Sequence, residues 1–478
     1  RGNLTQFASF GAIESRWALW HAVPEWFWTW SIILGRLVNI MFAVATVYLV
    51  YRVGVEIADR ATGRIASIIL ALSLGFIASA HEANEDTAMV LFFILTVYLL
   101  IRYINSGNTS YLIWASIAGG LSIAFKLTGG IAAVLIPLAI ILREHRSTGV
   151  FFPPFKLVRL ILFCGLVGAI VVYVGRPNVL LLGPEQLLLR VVGGIAEKSK
   201  VAYINPPFGY SVLYSLLNAV VLPLLIAMVG GMIATPYRWR VNNNIRYGPF
   251  LILIGLLVYL IIFIRWGAIK THHVLPTIPL FSLLLASQLQ RLFSRGWNWQ
   301  RALVAGLIVS TGIYSGIGTL NYATEPRDQA TEWMRTNLSS DETMVVFENS
   351  VADVGIVHGH PVQHYEFIEK VGVHRGIGNE TAYTDWMVSS PERNNTYIQV
   401  TDGSIFYMDP LRPSSEAYPR RVIFIHRLVR GDHHNLSVEV KYGREPNYNR
   451  SYTQRLLWAG VTPEIEKLEK TVIIYKKP

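Results

Sequence analysis

Apolar residues come along this chain in blocks of roughly 16–25, separated by shorter polar stretches. Ten such blocks can be marked, at about 31–51, 65–80, 87–104, 111–125, 127–142, 157–175, 211–235, 248–264, 274–290 and 302–320. That length suits a helix crossing a bilayer. In hydrocarbon every backbone N–H and C=O must be satisfied within its own segment, so each block is predicted to be helical. From about Pro326 the pattern changes. Short alternating stretches rich in β-branched residues follow, "TMVVFE", "TYIQVT", "RRVIFIHRLV", "LSVEVKYG" and "KTVIIYKK", and these predict strands. "QATEWMRTNLSSD" predicts one helix among them. The expected fold class is a polytopic α-helical membrane protein of about ten spans with a C-terminal α/β domain. Residues 1–325 form the first part and 326–478 the second.

Charge separates the two parts. The chain has 478 residues and a formal net charge of +11. Residues 1–325 carry +13 and the remainder −2. The basic excess therefore flanks apolar blocks, where it is a topology signal and no mark of nucleic acid binding. Alternate connections hold Arg52, Arg60, Arg64, Arg102, Arg143, Arg146, Lys156, Arg159, Arg238, Arg240, Arg246, Arg291, Arg295 and Arg301, against only Glu56, Asp59 and Glu144. Positive charge stays on the cytoplasmic side. The other connections then face outward: 1–30, 81–86, the turn at Lys126, 176–210, 265–273 and everything after 320. The expected protein is a multi-pass plasma-membrane protein with an extracytoplasmic C-terminal domain. Five N-x-S/T sequons in that domain, at Asn337, Asn379, Asn394, Asn435 and Asn449, agree with export, and an Asn-rich tail also yields them by chance. Cys164, the single cysteine, can form no internal disulfide.

The candidate chemistry lies on the outward side. "SAHEANEDTAMV" places Glu82, Glu85 and Asp86 at the mouth of a block. Lys126, Arg176, Arg265, Lys270, His272 and His273 lie at other outward block ends. Ionisable groups at span depth usually face a cavity and mark a site. Structural alternatives stand beside this reading. The cations could snorkel to headgroups, Glu85 and Asp86 could serve the first turn of a helix, and the His pair could be solvated. The acids and bases together on one side favour a site. His81 and Glu82 are weak metal candidates; a divalent ion is admissible, but no spacing demands one. "RWALWHAVPEWFWTW" carries five Trp in fifteen residues, an interfacial belt or an entry for a lipid-borne substrate. "GPEQLLLRVVGGIAEKSK", in the connection 176–210, could lie along the interface. The pairs Gly119–Gly120, Gly129–Gly130, Gly193–Gly194 and Gly230–Gly231 read as close helix packing. Walker, HExxH, G-x-S-x-G and CxxC motifs are absent.

Several of these stretches, in order, resemble the membrane core of the GT-C glycosyltransferases that use polyprenyl-phosphate sugars, which include protein O-mannosyltransferases and bacterial aminoarabinose transferases. The resemblance rests on Arg36 opening a span, "ADRATGRIASIILALS", His81 and Asp86 at the next outer turn, "FKLTGGIAAVLIPLAIIL", "HHVLPTIPLFSLLLA", and the tail from "QATEWMRTNLSSDETMVVFE". It implies transfer, with inversion, of a sugar from a dolichyl or undecaprenyl phosphate to a protein, lipid or glycan acceptor at the outer face. The partners implied are that lipid-linked sugar, membrane lipids and the acceptor. The family's catalytic carboxylate lies in the first outer loop after a first span. No Asp precedes Asp59, and Glu14 and Glu25 lie close to Arg36, so the main base is expected upstream of this sequence. Asp86 and Glu85 then orient the acceptor or support the cations. Lys126, Arg176, Arg265, Lys270, His272 and His273 would bind the lipid phosphate. His272 and His273 stand where an Arg–Tyr pair is common. A transporter or flippase, or a non-catalytic member of the family, remains the alternative.

Overall fold

The structure is a computed structural model. It describes residues 25–149, 155–176, 205–242, 246–264, 271–294, 298–323, 326–338, 343–346, 364–367, 396–401, 411, 437–443, 450–462 and 471–476. The chain divides into two compact units, one of residues 35–320 with 451–465, the other of 1–34, 321–450 and 466–478.

The larger unit is helical. Its elements are α1 (Glu25–Ile57, which begins in the other unit), α2 (Arg60–Ala71), α3 (Leu74–His81), α4 (Asp86–Ser106), α5 (Thr109–Phe125), a 3₁₀ turn (Leu127–Ile131) and α6 (Ala132–Thr148). They continue with α7 (Phe155–Gly175), α8 (Tyr210–Ala219), α9 (Leu222–Asn242), α10 (Tyr247–Phe263), a 3₁₀ turn (Thr271–His273), α11 (Thr277–Ser294) and α12 (Asn298–Ala323). All ten apolar blocks fall mainly on helix. Among the described residues, five helices are long and apolar enough to cross a membrane, or seven if each of two bent pairs counts as one span. These make the chain an integral membrane protein.

Two blocks expected as single spans are broken. α2 and α3 meet at 63°, and α8 and α9 at 116°. At the first break Ser315 Oγ of α12 donates to the Leu72 carbonyl, and Ser73 Oγ bonds Ile69 O at 2.8 Å. A freed carbonyl is thereby satisfied away from water, which is what permits a break inside an apolar run. α12 can lie this close because Gly318 lacks a Cβ, which would collide with Leu74. The glycine pairs divide between close packing and open space. A Cβ on Gly120 would meet Gly168 O at 2.7 Å, and one on Gly231 would meet Leu285 Cα at 2.9 Å, whereas Gly130 and Gly230 have nothing within 4 Å. Gly193–Gly194 and most of the connection 176–210 lie outside the described residues.

The smaller unit holds α13 (Pro326–Asn337) and five strands: β1 (Thr343–Val346), β2 (His364–Phe367), β3 (Thr396–Thr401), β4 (Ser437–Tyr442) and β5 (Val472–Lys476). They form one sheet of order β2-β1-β3-β5-β4, parallel at β2, β1 and β3 and antiparallel at β5 and β4. Ala330 and Met334 of α13 pack with Leu338, Tyr397, Val472 and Ile474 in its core. The "RRVIFIHRLV" stretch lies outside the described residues, and β2 was not anticipated. A further helix, α14 (Tyr452–Val461), lies between β4 and β5 in sequence but belongs to the helical unit.

Candidate active site

The site grows from the turn between α3 and α4. Asn84 caps α4: its Oδ1 accepts from the Asp86 N–H at 3.0 Å. Glu85 makes no capping bond. Capping thus falls to a neutral side chain, and the Asp86 carboxylate is spared for another partner. Asn84 Nδ2 also donates to Glu82 Oε2 at 2.6 Å. Asn39 of α1, itself buried, donates to the carbonyls of Glu82 and Asn84 and so fixes the turn against a neighbouring helix.

Lys126 supplies the partner. It is the last-turn boundary of α5, where the backbone leaves the helix in an extended conformation before the 3₁₀ turn. Its Nζ donates to Asp86 Oδ1 at 2.5 Å and lies 3.6 Å from Glu85 Oε1. The Asp86 side chain is 3% exposed, Lys126 16% and Glu85 51%. Ser122 Oγ donates to Met89 O at 3.0 Å one turn away, which locks α5 to α4 beside the ion pair. Gly129 then folds back onto Ser122 with no room for a side chain. The "FKLTGG" sequence folds as it does because Lys126 ends the helix and a residue without Cβ must follow close behind.

Arg176 stands at the same helix end. Its Nε donates to Ala124 O at 2.6 Å and its Nη2 to Phe125 O at 3.3 Å. A guanidinium on terminal carbonyls suits the negative end of the helix dipole. The structure therefore gathers Glu85, Asp86, Lys126 and Arg176. His272 and His273 sit in their own 3₁₀ turn with rings 4.2 Å apart. Tyr259 of α10, fully buried, donates its hydroxyl to the His273 carbonyl. His81 Nδ1 bonds Ile77 O at 2.8 Å, within its own helix. No group of three His, Cys, Asp or Glu fit for a metal occurs among the described residues. Arg265 and Lys270 lie outside them.

Asn39 and Tyr259 were not singled out from sequence. Their one signal is a polar atom inside an apolar run, "RLVNIMF" and "LLVYLII". Asn84 was passed over for its acidic neighbours.

Residues 28–172 match the model of the dolichyl-phosphate-mannose-protein mannosyltransferase family. That stretch runs from α1 to α7 and contains Asn39, Glu85, Asp86 and Lys126. The resemblance to GT-C glycosyltransferases that use polyprenyl-phosphate sugars is thus found by comparison as well as by motif. ArnT from Cupriavidus metallidurans, solved bound to undecaprenyl phosphate, is similar at 10% identity and TM-score 0.49, over 92% of this chain and 83% of that one. The oligosaccharyltransferase of Archaeoglobus fulgidus, solved tethered to an acceptor peptide, is similar at 14% identity and TM-score 0.48, over 93% and 77%. At these values neither provides a residue-level correspondence. No curated protein matches the chain.

Proposed function

We propose that this protein is a membrane glycosyltransferase that moves a sugar from a polyprenyl phosphate to an acceptor at the outer face of the membrane. The observation that carries the reading is the Asp86–Lys126 pair, its carboxylate buried, set at the ends of two apolar helices inside the stretch that matches the mannosyltransferase family. Buried ionisable groups at span ends are expensive and mark sites.

In the proposed reaction the bond from the sugar's anomeric carbon to the phosphate oxygen breaks. An acceptor oxygen bonds that carbon from the opposite face, which inverts it. The acceptor's proton goes to a carboxylate, and negative charge gathers on the departing lipid phosphate. Lys126 is the proposed phosphate contact. Asp86, whose Oδ1 is already taken by Lys126, is a positioning residue that holds the ammonium in place. Glu85 is the more accessible carboxylate and would orient the acceptor. Arg176, Arg265, Lys270, His272 and His273 complete the proposed phosphate-binding set.

The test is transfer itself. Full-length protein in membranes, given a radiolabelled pool of polyprenyl-phosphate sugars, should label an acceptor. Lys126→Ala should abolish the label while the protein stays folded in the membrane, and Glu85→Gln should slow it. Normal turnover by folded Lys126→Ala would remove the phosphate role, and no transfer from any donor would sink the whole reading.

A further inference from the structure

α14 poses a separate question. It follows a polar stretch of chain and precedes a strand, yet it packs in the helical unit. Ala459 and Gly460 are buried, and Gly460 leaves so little space that a Cβ there would lie 2.9 Å from Leu222 Cβ and 3.1 Å from Leu217 Cδ2. Tyr452 at its start meets the ring of Tyr210 edge-on at 4.7 Å. At its end Tyr314 of α12 donates its hydroxyl to the carbonyls of Ala459, at 3.3 Å, and Thr462, at 2.9 Å.

Tyr314 sets the depth. The apolar span of α12 runs to Leu320, six residues further on. At 1.5 Å per residue, Tyr314 lies about 9 Å of helix rise inside that end. The end is the one shared with Asp86, because Ser315 and Gly318 of α12 meet Leu72 and Leu74, and α3 leads from there toward the α4 turn. α8, beside which α14 packs, is turned 116° from α9 and so lies across the spans instead of along them.

The exposed face of α14 changes character toward this buried anchor. In the first turn it shows Thr453 and Gln454. In the last two turns the same face shows Leu457, Trp458 and Val461, which are 58%, 37% and 63% exposed. Exposed Ile313 and Ile317 flank Tyr314 on α12 and continue the lipid-facing apolar surface.

We propose that α14 is an interfacial membrane anchor, tilted so that Leu457, Trp458 and Val461 enter the acyl region of the leaflet at the Asp86 end while Thr453 stays among headgroups and water. Interfacial helices bury their apolar face to a similar depth, and Trp and Tyr favour that boundary. The ligand is the bilayer itself, bound by this segment independently of any transfer chemistry.

The experiment places a fluorophore on Leu457→Cys, Val461→Cys and, as control, Thr453→Cys, in full-length protein in lipid nanodiscs. All three positions are exposed, so folding is not challenged, and Cys164 is buried. Labels at 457 and 461 should lose emission to spin-labelled acyl chains and keep it in aqueous iodide. The label at 453 should do the reverse. Iodide quenching at 457 and 461, with no effect of the spin-labelled lipid, would overturn the anchor and leave α14 a water-facing helix.

Discussion

An ammonium 2.5 Å from a carboxylate that is almost wholly buried leaves that carboxylate dependent on it. Removing Lys126 strands the Asp86 charge in a medium that cannot solvate it, at a cost of about 3–5 kcal/mol, whereas removing Asp86 leaves Lys126 partly exposed and 3.6 Å from Glu85, a smaller loss. Replacing both with uncharged groups of similar size is far milder. Asp86→Asn and Lys126→Met should therefore each lower the thermal midpoint in detergent, while the double variant should recover most of the loss. Transfer separates structure from chemistry: under the proposed role the double variant is stable and inactive. Stability that fails to recover would mean that the two side chains are not coupled as drawn. The charged members of this cluster were legible in the sequence because charge inside an apolar stretch stands out. The cap was not. Asn84 does the work expected of Glu85 or Asp86, and nothing in "NED" says which of three neighbours will point at the backbone. Asn39 and Tyr259 were hidden for a related reason: a single polar atom scarcely alters the hydropathy of its helix.

Helices in this unit meet where a glycine lets them, and Gly230–Gly231 in α9 gives a controlled comparison. A methyl on Gly231 would stand 2.9 Å from Leu285 Cα in α11, a backbone atom that cannot rotate away. Gly231→Ala should thus destabilise by about 1–3 kcal/mol through overpacking. Gly230→Ala meets open space. It should stabilise, by about 0.5–1 kcal/mol, since glycine in a helix interior carries that entropic cost. Thermal unfolding of the two variants in one detergent tests the pair, and equal shifts would refute the α9–α11 contact. From sequence both glycines read alike, because the face a glycine occupies depends on a partner helix about fifty residues away. The helix breaks were unreadable on similar grounds. The apolar runs across Leu72–Ser73 and Val220–Val221 continue without a polar interruption long enough to notice, and the group that satisfies Leu72 O is on α12. α14 was missed because its ten residues carry a mixed pattern, and only packing reveals where it belongs.

Across the whole membrane unit the two ends of α4 are chemically opposite. Its 20 residue steps from Asp86 to Ser106 rise about 30 Å, a hydrocarbon core's thickness. At the first end an acid and a base are paired, with the acid buried. At the other, Arg102 bonds Glu56 Oε1 at 2.9 Å and Tyr111 at 2.8 Å, Arg143 Nη1 donates to Ile104 O at 3.1 Å, and Arg146 reaches Asn105 at 2.7 Å. An excess of arginines over carboxylates at a span end is the cytoplasmic pattern, so the Asp86 end should face out. Ala83, beside that end, and Ala58, between α1 and α2 at the arginine end, are both exposed and suit labelling. In intact cells Ala83→Cys should react with a membrane-impermeant maleimide added outside, and Ala58→Cys only after permeabilisation. The reverse result would turn the molecule over. The Asp86–Lys126 pair would then face the cytoplasm, and a lipid-linked sugar used on the outer face could not be its substrate.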